Sequence, residues 1–92
     1  DKSVAIGSEG LGVNPFLRRT VLLVNEHTAS SAEMVAAFAS ENRLCQLVGT
    51  RTAGRLVGAR SFKIGGGFRV ALPVVAFRTW AGQTLEGAGI EP

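Results

Sequence analysis

Ser30 and Ser31 stand between an apolar run, Val21-Leu22-Leu23-Val24, and an alanine-rich stretch opened by Ala32-Glu33-Met34. A hydroxyl at such a strand-to-helix junction lies over backbone N–H groups at the positive end of the helix. That end stabilises negative charge developing beside it, which favours nucleophilic acyl transfer. The segment Val48-Gly49-Thr50-Arg51-Thr52-Ala53-Gly54-Arg55 is a glycine-punctuated return in which a long-range partner for the hydroxyl can sit. A blander reading competes. Ser30-x-x-Glu33 has the pattern of a capping box, in which the serine oxygen accepts an early helical N–H and the glutamate reaches back. Thr28 is an alternative cap that would leave Ser30 free. His27, the one histidine, is close enough in sequence to meet Ser30 across a turn, although a lone turn histidine is as a rule a surface or packing residue.

The elements that must position these groups follow from periodicity. Residues 21–25 read as a buried strand, and the helix is expected from about Ser30 to Asn42, with Met34 and Phe38 on one face and alanines keeping it thin. Gln46 to Gly49 reads as a second strand, parallel to the first because a helix joins them. Ala59 to Ile64 and Phe68 to Leu72 alternate around Gly65-Gly66-Gly67, the signal of a hairpin, with Lys63 facing solvent. No helix N-terminus follows those glycines, so they make a poor phosphate loop. Pro73 is expected to interrupt the pattern and Val74 to Trp80 to resume it, with Phe77 and Trp80 in the core or a groove wall. Gly54 and Gly58 are expected to allow close backbone approach around Arg55. Residues 1–20 read as an extended lead-in, with one short strand at Val4-Ala5-Ile6, and residues 21–92 as the folded unit.

Composition narrows the class. Ninety-two residues with 46% apolar content make one small α/β domain at most. No run of about 18 apolar residues encodes a membrane span, and Asp1-Lys2-Ser3-Val4 does not open a signal peptide. The lone Cys45 excludes an internal disulfide and a cysteine-based zinc site, and is expected to be a small buried strand residue. No metal or cofactor is expected. The net charge of +3 arises from scattered arginines rather than a basic face with aromatic partners, which argues against nucleic acid. The glycine-rich apolar ending, Leu85 to Pro92, looks cut from a longer chain.

Three segments occur in a telling order: an apolar strand into Thr28-Ala29-Ser30-x-x-Glu33, then V-G-x-x-T-x-G-[KR] from Val48 to Arg55, then E-G-x-G-I-x-P from Glu86 to Pro92. Together they resemble the C-terminal processing (tail-specific) serine peptidases, a family that includes tricorn-like and interphotoreceptor retinoid-binding protein-like branches. The resemblance covers about residues 20–92. It implies the C-terminal half of a crotonase- or Clp-protease-like spiral core acting on peptide or protein tails, often in an extracytoplasmic or periplasmic setting. It implies Ser30 as nucleophile and the Ser31 N–H as half of an oxyanion hole, completed by a glycine from an upstream segment. Oligomeric state, substrate identity and substrate-binding residues are not implied.

One departure stands out. Where the main branch of the family places a lysine general base, this chain has Arg55, and Ala59 replaces the glutamine that often supports that lysine. A buried lysine loses its proton near neutrality, whereas a guanidinium, with a pKa above about 12, does not. Three repairs are open: a histidine from an upstream segment with Glu86 as a supporting carboxylate, as in the tricorn-like branch; His27; or a catalytically inactive member that binds peptides or small apolar ligands. Arg55 is then a cation for a substrate carboxylate or oxyanion, or an ion-pair partner of Glu33 or Glu86.

Overall fold

A computed structural model describes residues 2–5, 7, 9–10 and 12–92. Its elements are β1 (Val21–Val24), α1 (Ser31–Glu41), β2 (Gln46–Gly49), β3 (Val57–Gly65) and β4 (Phe68–Ala76). Strands β1 and β2 pair in parallel, Val21 opposite Gln46 through Val24 opposite Gly49, and β3 and β4 form a separate antiparallel ribbon. The chain is thus of mixed α/β character. Before Val21 the described residues are exposed and form neither helix nor strand. Val4 and Ala5 are not in a strand, and Ile6 of that expected strand lies outside the described residues.

Local chemistry sets the element ends. β1 stops because Asn25 turns the chain: its side-chain oxygen accepts the His27 N–H at 2.9 Å, and its carbonyl accepts the Thr28 N–H at 2.9 Å. The Thr28 hydroxyl takes the Asn25 N–H at 3.0 Å, so it closes this turn and does not cap α1, against the sequence expectation. α1 ends in a Schellman arrangement, with Leu44 N–H on the Ala39 carbonyl at 2.9 Å and Arg43 N–H on Ser40 at 3.1 Å. Arg43 supplies the left-handed residue, with φ of 53°. At Gly49 any Cβ would overlap the Val24 carbonyl oxygen, so β1 and β2 come this close there only because this residue has no side chain.

The core is small and lies under the α1 N-terminal half. Ala37, Leu56 and Leu85 are buried together, with Met34, Phe77 and Ile90 packed against them. On α1, Ala36, Ala37 and Ala39 are buried while Phe38 is 55% exposed. Three expectations fail on packing. β1 is not a buried strand, for Leu23 is 76% exposed and only Val24 is fully buried. Cys45 is half-buried in a bend just ahead of β2. Trp80 is 91% exposed, leaving Phe77 as the aromatic of the core edge.

Pro73 does not break the ribbon. It pairs with Ala59 at a register shift between Gly58 and Ala59, so the irregularity absorbs the missing N–H and β4 runs on to Ala76. The strand expected to reach Trp80 ends there instead. Lys63 is exposed, as its alternating position predicts. The radius of gyration is 16.1 Å, against about 12 Å for a compact domain of this length. On the ribbon, Phe62, Ile64, Phe68, Leu72 and Val74 are exposed.

Candidate active site

Ser30 occupies the sharp turn between β1 and α1 as the residue preceding the helix, with φ of 58° and ψ of −128°. That region is costly for a residue with a Cβ, on the order of 1–3 kcal/mol, and persists only where neighbours over-determine it. Here its N–H is held twice, by the Arg55 carbonyl at 3.0 Å and by Glu33 Oε2 at 3.1 Å. Ser30 and Glu33 form a capping box: Glu33 Oε2 accepts the Ser30 N–H, and the serine oxygen lies in capping reach of the Glu33 N–H, which is bonded to the Ser30 carbonyl at 2.9 Å. Ser30 is exposed.

The group that holds this turn is Glu33. It has no solvent-accessible surface, and its carboxylate accepts Thr52 Oγ1 at 2.6 Å, Gly54 N–H at 2.7 Å, Arg55 N–H at 2.9 Å and the Ser30 N–H. Burial is the largest single influence on its pKa and pushes it up. The hydrogen bonds from Thr52, Gly54, Arg55 and Ser30 together outweigh burial and hold it below the ordinary glutamate value. The charged form is therefore the one the fold stabilises. Its contribution is complete above the ordinary value of 4.5 and is lost as pH falls through the lower value it has in the folded protein. Urea unfolding of the full-length protein is expected to show an acid loss of stability with this sign. A Glu33→Gln variant whose pH profile matched the wild type would contradict the assignment.

Thr52 links the site to the end of the chain. Its hydroxyl donates to Glu33 and accepts the Ile90 N–H at 2.8 Å, while its own N–H reaches the Ile90 carbonyl at 3.1 Å. A Cβ on Gly54 would come within 2.9 Å of the Gly89 nitrogen, and one on Gly89 within 2.5 Å of the Thr52 carbonyl oxygen. Both glycines have positive φ, and no side chain fits between these strands of backbone. Gly58 likewise admits Val75 closely. The three sequence segments thus converge on one spot. The organising role of Glu33 and Thr52 was not drawn from the sequence; the signal was their fixed place in two of the three segments.

The remaining expected residues fall as follows. No hydrogen-bond partner is found for the Ser31 N–H among the described residues, which leaves the amide next to Ser30 open. Glu86 is exposed, and its Oε2 accepts the Leu56 N–H, so it braces the segment after Arg55 and does not contact Ser30. Arg55 is exposed and pairs with neither Glu33 nor Glu86: Glu33 takes its backbone N–H, and the ion pairs among the described residues are His27–Glu26 and Arg51–Glu91. His27 has its ring 3.8 Å from the Glu26 carboxylate and forms no hydrogen bond to Ser30. No base within the described residues is bonded to the Ser30 hydroxyl. Among those residues there is also no cluster of three metal-ligating side chains, and no helix is long and apolar enough to cross a membrane.

The site thus presents an exposed serine on a strained strand-to-helix turn, beside an open amide. Comparison with known sequences decides the family. Residues 6–92 match the sequence profile of peptidase family S41. The chain belongs to that family. It is 36% identical over 73 residues to the carboxy-terminal processing protease CtpA of Bacillus subtilis, covering 79% of this chain and 16% of that protein. It is 32% identical over 75 residues to the carboxyl-terminal-processing protease of Synechocystis, covering 82% of this chain and 18% of that protein. A chloroplastic carboxyl-terminal-processing peptidase of Arabidopsis thaliana is 32% identical over 72 residues, covering 78% and 15%. This S41 chain therefore spans less than a fifth of the relatives it matches.

Proposed function

We propose that this S41 chain is the C-terminal half of the catalytic core of a serine-type endopeptidase, with Ser30 as its nucleophile. The observation that carries the reading is the Ser30 conformation: a strained, exposed residue on the strand-to-helix turn, next to the unpartnered Ser31 N–H. The Ser30 oxygen attacks the scissile carbonyl while its proton passes to a base from the upstream part of the protein. The oxyanion forms against the Ser31 N–H and an upstream glycine N–H. Collapse expels the amine, which takes the proton, and water then hydrolyses the acyl ester. Substrates are extended peptides and C-terminal tails, held beside a strand edge. The core has the crotonase- or Clp-like spiral arrangement, and the base follows the tricorn-like pattern, with Glu86 on its supporting side. The apolar side chains left exposed on the ribbon support a fold completed by upstream sequence.

Arg55 in the lysine position favours a second reading, an inactive member that binds peptides or small apolar ligands without turnover. A peptidyl diphenyl phosphonate separates the two. The full-length protein is expected to form one covalent adduct, mapped by mass spectrometry to Ser30, and the isolated 92-residue chain none. Saturable peptide binding by the full-length protein without any adduct favours the binding module, and labelling of the isolated chain means that the base lies within it.

A further inference from the structure

The Arg55 main chain is fastened to the Ser30 turn from both sides: its carbonyl accepts the Ser30 N–H at 3.0 Å, and its N–H donates to Glu33 Oε2 at 2.9 Å. Its side chain is exposed and joins neither ion pair found among the described residues. The two nearby carboxylates are turned to other work. Glu33 is saturated by four donors, and Glu86 takes the Leu56 N–H. The main chain of a permanently charged residue is thus held next to the Ser30 backbone, and among the described residues no carboxylate pairs with its side chain. A guanidinium does not act as a base, but its planar fork matches a carboxylate with two parallel hydrogen bonds.

We propose that Arg55 is a specificity residue whose guanidinium binds a carboxylate of the peptide lying at Ser30. The substrates are then peptides carrying a negative carboxylate close to the cut bond, either the free chain terminus or an acidic side chain. This rests on the Ser30 reading above and extends it to the substrate class. Loss of the family lysine is in this view a change of task at that position, from proton transfer to charge recognition.

The test uses full-length protein with Ser30→Ala, which binds without turnover. Three fluorescein-labelled alanine- and valine-rich peptides are compared by anisotropy: a free acid, its C-terminal amide, and the amide with one glutamate near the end. At least one carboxylate-bearing peptide is expected to bind roughly tenfold to a hundredfold more tightly than the plain amide. That ratio is expected to fall close to one when Arg55→Gln is added, and to survive in part with Arg55→Lys, which keeps the charge without the fork. The free-acid and glutamate arms identify which carboxylate is read. Equal binding of all three peptides, an undiminished ratio in the Gln variant, or no binding of any peptide overturns the proposal. A phosphonate adduct at Ser30 in the full-length protein that keeps this serine leaves the nucleophile standing when that happens; its absence removes both.

Discussion

Ser30→Ala in the full-length protein is expected to lower kcat for peptide hydrolysis by about 10^4-fold or more while leaving KM within a few-fold. The asymmetry follows from where the hydroxyl acts. Its oxygen forms a bond only on the way to the acyl-enzyme, so its loss is felt in the transition state and hardly in substrate binding. The backbone that presents it is held through the Ser30 N–H, by Glu33 Oε2 and the Arg55 carbonyl. The variant should therefore fold with wild-type stability, and thermal unfolding checks this alongside steady-state kinetics. Retained wild-type turnover would falsify the nucleophile assignment. A large loss of stability would mean that the hydroxyl serves the helix after all.

Glu33→Gln is expected to destabilise the protein by roughly 2–5 kcal/mol, measured by urea unfolding at neutral pH. The carboxylate faces four donors, two on each oxygen, in a site without solvent access. An amide presents an acceptor to one pair and an NH2 to the other, so at least one backbone donor, the Gly54 or the Arg55 N–H, loses its partner whichever way it turns. If the NH2 faces the Oε2 side, the lost donors are the Ser30 and Arg55 N–H groups, and the strained turn at Ser30 loses one of its two restraints. Activity is then expected to fall beyond the change in stability. A variant as stable as the wild type to within about 0.5 kcal/mol would show that water or a rearranged backbone satisfies those donors.

These two residues also show how far the sequence could be read. Ser30 and Glu33 are spaced as a capping box, and spacing alone made the blander reading natural. The backbone angle at Ser30 and the partners of its N–H are not written in residue types. The β1–α1–β2 unit was legible because an apolar run, a helix of good formers and a second short apolar run leave a parallel pair as the economical connection. The hairpin was legible from its alternation around three glycines.

Burial was less legible. Leu23, Phe38 and Trp80 have core-type side chains, yet whether each is covered depends on what packs against it, and in this chain little does. Pro73 was read as a break because a proline removes one ladder donor. The shift at Gly58 and Ala59 accommodates that loss, a solution that involves the partner strand and so is invisible in a local pattern.

The sequence by itself determined the order of elements, the S41 kinship carried by three separated segments, and the absence of the family lysine at Arg55. Those are properties of residue type and spacing. Only the tertiary structure decided that Glu33 gathers donors from the Ser30 turn and from residues 52–55, that Thr52 ties the site to Ile90, and that the Arg55 side chain has no acidic partner among the described residues. The physical reason is that a carboxylate is satisfied by whichever N–H groups the folded backbone brings within about 3 Å of it. Here those groups come from positions some twenty residues apart in the chain, where no local rule reaches.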